Sequence, residues 1–310
     1  MSQKSPEAIV EELLNNPRLY EEKAAREGAV WGEAFSSENQ INVRKADKAA
    51  SKELRVARDK LFLAGALRRQ GLKPVRGLSL ACGSGRAERN ALAQGICTSF
   101  HGIDMAEDAI IEARSVAERE KLNITYEQGD LNKIKLQPES YDLVITQNCL
   151  HHVLQLEYLA DEIRQAMKPD GALWIHDYVG ETQFQYSDKR LEIANAILKL
   201  LPAKLRTNHI TGKVITHVVR PIPGGMPSPF EAIRSAEIMP IFLERFDVLE
   251  KHENDAVMRL VVPIGAKSEY VENEDTRSMF ELLYYLDQLL VKEGILEPTG
   301  IQCLLRPKPR

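Results

Sequence analysis

Between Gly77 and Val179 the chain alternates short apolar runs with stretches of helical periodicity. The first run, Leu78-Ser79-Leu80-Ala81, breaks into Cys82-Gly83-Ser84-Gly85-Arg86. An apolar run that stops at two glycines reads as a strand feeding a tight turn, and the residues after it open a helix. The same reading predicts strands over 77–81, 98–103, 124–127, 141–146 and 172–176. Helices are expected over 87–94 and 106–121, and a third through Leu156, Leu159, Ile163 and Met167, ahead of Lys168-Pro169-Asp170-Gly171. Strands that alternate with helices require right-handed crossovers, hence a parallel sheet covered on both faces.

The flanks read differently. Ile9, Leu13 and Leu14 share one face of a first helix that stops before Pro17. Leu54, Ala57, Leu61, Ala64 and Leu67 recur at helical spacing, which predicts a helix over 46–70 ended by Gly71 and Pro74. From 180 to 245 the pattern is mostly helical, interrupted by Pro202, Pro221, Pro223, Pro227 and Pro229. Residues 246–251 and 300–306 read as strands, and 276–292 as a helix, while 256–264 fits a strand or a helix equally well. The expected division is an N-terminal helical lid (1–70), a core (71–180), a helical cap (181–245) and a segment that completes the sheet (246–310).

Charge narrows the partners. Net charge is −4 and aromatic content 6%, which gives no basic, aromatic-rich face for nucleic acid. No apolar run reaches membrane-spanning length, and the N-terminus lacks the apolar centre of a signal peptide. The scattered cysteines Cys82, Cys97, Cys149 and Cys303 form no CxxC pair, so a reduced cytoplasmic protein without zinc is expected. Residues 181–235 hold eight Lys/Arg against four Asp/Glu, a local excess that suits an anionic small molecule or merely a solvated helical surface.

Three sites along the core carry polar groups at strand ends. Gly83 and Gly85 let the backbone approach a ligand, and the helix behind them offers free N–H groups. A dinucleotide site would want a third glycine where this chain has Glu88, which weighs against a nicotinamide-dependent oxidoreductase. Asp104 closes Gly102-Ile103-Asp104 at the spacing of a ribose-binding acid, or simply caps the next helix. Asp130 follows Gly129, placed to accept from an adenine amino group or to shape a turn.

The order Leu-Ser-Leu-Ala-Cys-Gly-Ser-Gly, Gly-Ile-Asp, Gly-Asp-Leu, Tyr-Asp-Leu-Val-Ile-Thr-Gln-Asn-Cys-Leu-His-His and Met-Lys-Pro-Asp-Gly resembles the class I S-adenosylmethionine-dependent methyltransferases, and more loosely a bacterial subgroup that acts on small molecules. The resemblance covers about residues 75–180. It implies an α/β, Rossmann-like doubly wound sheet of seven strands, mostly parallel with an antiparallel last strand, plus helical additions at the N-terminus and over the cap. It further implies that Ala81, Cys82, Gly83 and Gly85 line the methionine part of S-adenosyl-L-methionine. Asp104 would hold the ribose, Met105 and Leu131 would flank adenine, Asp130 would meet its amino group, and Gln147 and Asn148 would sit beside the methyl. The chain departs from the pattern at Ser79, where the family has an acid, and at Ala81, where it has a glycine.

Methyl transfer to a small molecule, at oxygen ahead of nitrogen, is the expected function; a cofactor-binding protein without turnover is the competing one. An alcohol acceptor gains from a general base, and His151, His152 and Asp177 lie at strand ends where ligands of such sheets bind. Trp31, Tyr178, Arg220 and Arg234 are the candidate acceptor contacts, with the arginines suited to an anionic group. No histidine–carboxylate set has metal-ligand spacing in the sequence, so no metal is expected. Oligomeric state is open.

Overall fold

The computed structural model describes residues 4–54 and 62–309, the side chains of Phe35 and Ser36 aside. Its strands are β1 (Arg76–Leu80), β2 (Ser99–Asp104), β3 (Ile124–Gln128), β4 (Tyr141–Gln147), β5 (Met167–Tyr178), β6 (Phe246–Asn254) and β7 (Gly300–Pro307). They form one sheet in the order β3-β2-β1-β4-β5-β7-β6. β1 pairs in parallel with both β2 and β4, with Leu78 opposite His101 on one side and Val144 on the other. β7 runs antiparallel to β5 and β6, so the chain's last strand alone reverses direction within the sheet. Successive strands lead away from β1 in opposite directions, and the crevice beyond the carboxyl ends of β1 and β4 is where such sheets bind ligands.

The described helices are α1 (Pro6–Asn15), α2 (Pro17–Ser36), α3 (Glu38–Glu53), α4 (Leu63–Arg69), α5 (Arg86–Ala93), α6 (Glu107–Arg119), α7 (Leu156–Ala166), α8 (Asp188–Leu200), α9 (Ile238–Arg245), α10 (Met258–Val261), α11 (Lys267–Tyr270) and α12 (Glu274–Lys292). Side chains alternate across each strand, which splits the core in two. Leu78, Val144, Leu173 and Ile175 pack with α7 and α9 on one face. Phe100, Leu143, Ile145 and Trp174 pack with α4 and α6 on the other. A separate cluster joins α8, α10, α11 and α12.

Three expectations are corrected and one open reading is decided. The helix expected to run through Met167 ends at Ala166, because Met167 is extended (φ −79°, ψ 141°) and already pairs with Tyr141 as the start of β5. The helix expected over 46–70 is not continuous, because α3 ends at Glu53 and Leu54 is extended (φ −78°, ψ 149°); Ala57 and Leu61 lie outside the described residues. The stretch 180–245 is helical mainly in α8 and α9. Residues 207–234 are irregular among the described residues, and over 221–229 four closely spaced prolines cannot supply helical N–H donors. The ambiguous 256–264 contains α10, whose first turn is held by the Asp287 carboxylate accepting from the Val257 and Met258 N–H groups at 2.6 and 2.9 Å.

Candidate active site

A cavity of about 1110 Å³ opens over the carboxyl ends of β1, β2 and β4. Ala81, Cys82 and Gly83 form its floor, and Asp104, Met105, Asp130 and Leu131 one wall. Gln147, Asn148 and His152 form another wall, and Glu27, Trp31 and several α3 residues also line the cavity. The volume suits a nucleoside-sized cofactor with a small second molecule.

The floor is shaped by left-handed backbone. Gly83 has φ 53° and Gly85 φ 76°, conformations that glycine adopts freely. Ala81, with φ 50°, takes the same region despite its Cβ. Asp104 locks the turn: one carboxylate oxygen accepts the Gly83 N–H at 2.7 Å, the other the Ala106 N–H at 2.8 Å. Burial raises its carboxyl above the ordinary range, and these backbone donors pull against that. Asp104 does not cap the next helix, whose N-cap Ala106 makes no side-chain cap bond; it holds the turn instead, and each oxygen keeps further acceptor capacity.

Gly85 does not line the cavity. A Cβ there would fall 2.1 Å from the Tyr126 hydroxyl, so this glycine admits a buried tyrosine rather than a ligand. Asp130 faces the cavity, but the Tyr20 hydroxyl of α2 donates to it at 2.6 Å, and the Asn132 N–H donates to its other oxygen at 2.9 Å. Glu88 lies fully buried on α5, away from the cavity surface. Neither of its oxygens meets a hydrogen-bond partner at full geometry, although the Ser79 hydroxyl lies beside it. Burial raises its carboxyl; Ser79 and Arg89 counter that only in part.

The histidines anchor a buried polar cluster. Asp177, 2% exposed, accepts from the Cys149 and Leu150 N–H groups at 2.8 Å and bonds to His151 Nδ1. Glu27, 1% exposed, pairs with His152 Nδ1 at 2.9 Å, and accepts from Ser228, the Phe230 N–H and the Trp31 indole N–H. The Ile233 N–H donates to the His151 carbonyl and ties the 228–235 loop to this turn. Glu231 on that loop thereby comes within 3.6 Å of His151 Nε2 and 3.7 Å of His152 Nε2. Burial opposes a charge on His151, but Asp177 and Glu231 outweigh it and lift the imidazole to about 9.

The acceptor candidates separate. Trp31 lines the cavity and meets the His152 ring edge-on, with centroids 5.1 Å apart. Tyr178 is fully buried, packs on Phe184 and donates to the Glu181 carbonyl, so it belongs to the core. Arg234 is buried and spent on Glu157, Glu237 and the Leu154 carbonyl. Arg220 binds the Tyr186 carbonyl and Asp188 beside a separate small pocket. Neither arginine reaches the main cavity, because each guanidinium already has carboxylate partners. Positive charge comes instead from Arg44, Lys45, Lys48 and Lys52 of α3, together with Arg86. Burial, then Arg86 and Lys52, lower the Lys48 ammonium below its usual value. Sequence reasoning passed over these residues; their signal was the i, i+4 spacing of Arg44, Lys48 and Lys52 on one helix face.

With this geometry in place, the sequence pattern of a methyltransferase-domain family matches residues 78–171, the stretch that builds the cavity floor and both walls. Residues 78–171 are a methyltransferase domain. That domain is similar to a ubiquinone biosynthesis O-methyltransferase of Glaesserella parasuis, 31% identical over 139 residues, or 43% of this chain and 56% of that one. A sterol 24-C-methyltransferase of Clavispora lusitaniae is 24% identical over 135 residues, 41% of this chain and 36% of that one. A phosphoethanolamine N-methyltransferase 2 of Haemonchus contortus, solved with S-adenosyl-L-methionine, superposes with a TM-score of 0.47 at 17% identity, covering 80% of this chain and 52% of that one. The chain spans about half the length, or less, of the sequence relatives it matches. Among the described residues no helix is long and apolar enough to cross a membrane.

Proposed function

We propose that the protein transfers a methyl group from S-adenosyl-L-methionine to an oxygen atom of a small, negatively charged acceptor. The observation that carries this reading is one cavity lined by two chemically distinct sets of groups. One set of its lining groups is the Gly83 turn, Asp104 and Asp130; the other is His152, Trp31 and the α3 cations.

When bound, S-adenosyl-L-methionine supplies a sulfonium methyl group open to in-line attack. The chain's own contribution is placement and exclusion of water. Asp104 is rigid because two backbone N–H groups fix it, so it presents its remaining lone pairs to the ribose without reorganising. Asp130 would exchange the Tyr20 hydroxyl for the adenine amino group, or share itself between them. Met105 and Leu131 give apolar surface to the base, and Cys82 and Ala81 abut the methionyl portion. Gln147 and Asn148 close the wall nearest the methyl. α2 and α3 act as a lid, since Glu27, Trp31 and α3 side chains line the cavity.

The acceptor enters beneath α3. Lys48, Lys52 and Arg86 crowd like charges together, an arrangement that an acceptor carboxylate or phosphate relieves. Its hydroxyl then lies beside His152, whose Nδ1 pairs with Glu27 and whose Nε2 is buried, so transfer there rests on placement, with His151 and Asp177 as positioning residues behind it. Titration calorimetry with S-adenosylhomocysteine tests the cofactor end, with micromolar binding expected. Transfer of labelled methyl from S-adenosyl-L-methionine to matched phenols, with and without a carboxylate, tests the acceptor end. Failure to bind the thioether at millimolar concentration would overturn the reading. Equal turnover of charged and uncharged phenols would remove the anionic acceptor.

A further inference from the structure

We propose that His151, His152 and Glu231 form a binding site for one divalent transition-metal ion beside the cavity that His152 lines. One ligand atom from each of the three residues lies within 4.8 Å of the other two. Both Nδ1 atoms are committed: His151 to Asp177 and His152 to Glu27. That leaves the two Nε2 atoms facing the Glu231 carboxylate, and an ion that binds there displaces the proton which Asp177 and Glu231 favour on His151. The separations of 3.6 and 3.7 Å are too long for hydrogen bonds. They are close to the ~3.4 Å between two ligand atoms that share a tetrahedral ion at ~2.0–2.1 Å. The Nε2 of His152 is buried and has no hydrogen-bond partner.

The outer shell is built as metal sites build theirs. A ligating imidazole commonly donates its other N–H to a carboxylate that is itself held by further donors. Asp177 and Glu27 do this for the two histidines, and backbone N–H groups hold each of them. Charge points the same way. Glu27, Asp177 and Glu231 converge on two imidazoles, and among the described residues no lysine or arginine pairs with any of the three acids. A divalent cation offsets that excess. Two imidazoles and one carboxylate favour iron, cobalt, nickel or zinc over magnesium or calcium, and three protein ligands leave coordination positions open. An acceptor oxygen in such a position would lose its proton more readily. That role depends on the methyl-transfer reading; the existence of the site does not.

The site is tested with the chelator-treated full chain and Co²⁺, whose visible absorption reports nitrogen coordination, alongside calorimetry with Zn²⁺. One ion per chain is expected, with a rise in melting temperature. Glu231→Gln and His152→Ala should each weaken binding at least about 10–100-fold, and Asp177→Asn by a similar factor through loss of the outer shell. Glu231→Gln keeps the side chain's size, so the metal-free variant should still unfold in one cooperative transition, somewhat lower because His151 loses a facing carboxylate. The proposal is overturned if the natively melting chain takes up neither ion, or if Glu231→Gln binds both as tightly as the parent. S-adenosylhomocysteine binding, measured on the same sample, separates failure of the metal site from failure of the cofactor end.

Discussion

Replacing Gly85 by alanine isolates what that glycine does. Its φ of 76° puts an L-residue in the left-handed region, at a cost of about 1–2 kcal/mol. The new Cβ would also meet the Tyr126 hydroxyl at 2.1 Å, its Cζ at 2.6 Å and the Arg89 guanidinium at 3.0 Å. The ring cannot simply swing away, because it is buried and already lies against Gly102, where a Cβ would meet Tyr126 ring carbons at 2.6 Å. Overpacking of that kind costs about 1–3 kcal/mol. Alanine's smaller unfolded-state entropy returns about 0.4–1 kcal/mol. The net expectation is a loss of about 2–4 kcal/mol, read as a lower urea midpoint at unchanged slope. In a Tyr126→Leu background the steric share vanishes, and the same substitution should cost only about 1 kcal/mol, the backbone share. Equal costs in the two backgrounds would refute the packing account. So would unaltered stability with lost cofactor affinity, which would return Gly85 to the ligand side.

Asp104→Asn leaves one of two backbone N–H groups facing an amide NH₂, and should cost about 1.5–3 kcal/mol of stability. S-adenosylhomocysteine affinity should fall at least about tenfold by calorimetry, and wild-type affinity would remove Asp104 from the ribose. Glu88 gives a pH signature. Burial raises its folded-state carboxyl above the ordinary 4.5, so the folded state binds the extra proton and stability falls as pH rises from 4.5 through the raised value. Glu88→Gln should therefore melt higher than the parent at pH 8 and converge with it below pH 4.5; parallel melting curves at all pH values would contradict this.

How much was legible can be judged residue by residue. The first four strands appear in the sequence within one or two residues of their ends, because a run such as Leu143–Ile145 is apolar and buried; the fifth starts five residues earlier than its apolar run shows. Gly83 and Asp104 were legible too, since both lie at strand ends whose spacing puts them side by side. The arginines were not. Arg220 and Arg234 stood out as charge in an irregular segment, and no pattern in the chain announces that Asp188, Glu157 and Glu237 absorb them. Tyr178 likewise follows a strand end, yet its ring turns into the core beside Phe184.

The sequence by itself determined the sheet, its direction of winding and the turn that floors the cavity, because these follow from periodicity and from glycines within a few residues of each other. Only the folded chain decided what surrounds the two histidines. Glu27 comes from α2, Asp177 from β5 and Glu231 from a proline-rich loop, and each reaches the 151–152 turn through contacts between residues far apart in the chain. Local pattern carries no record of such meetings. They are fixed when α2 and the 228–235 loop close over the sheet and their backbone donors saturate, and the chemistry of the acceptor wall is fixed with them.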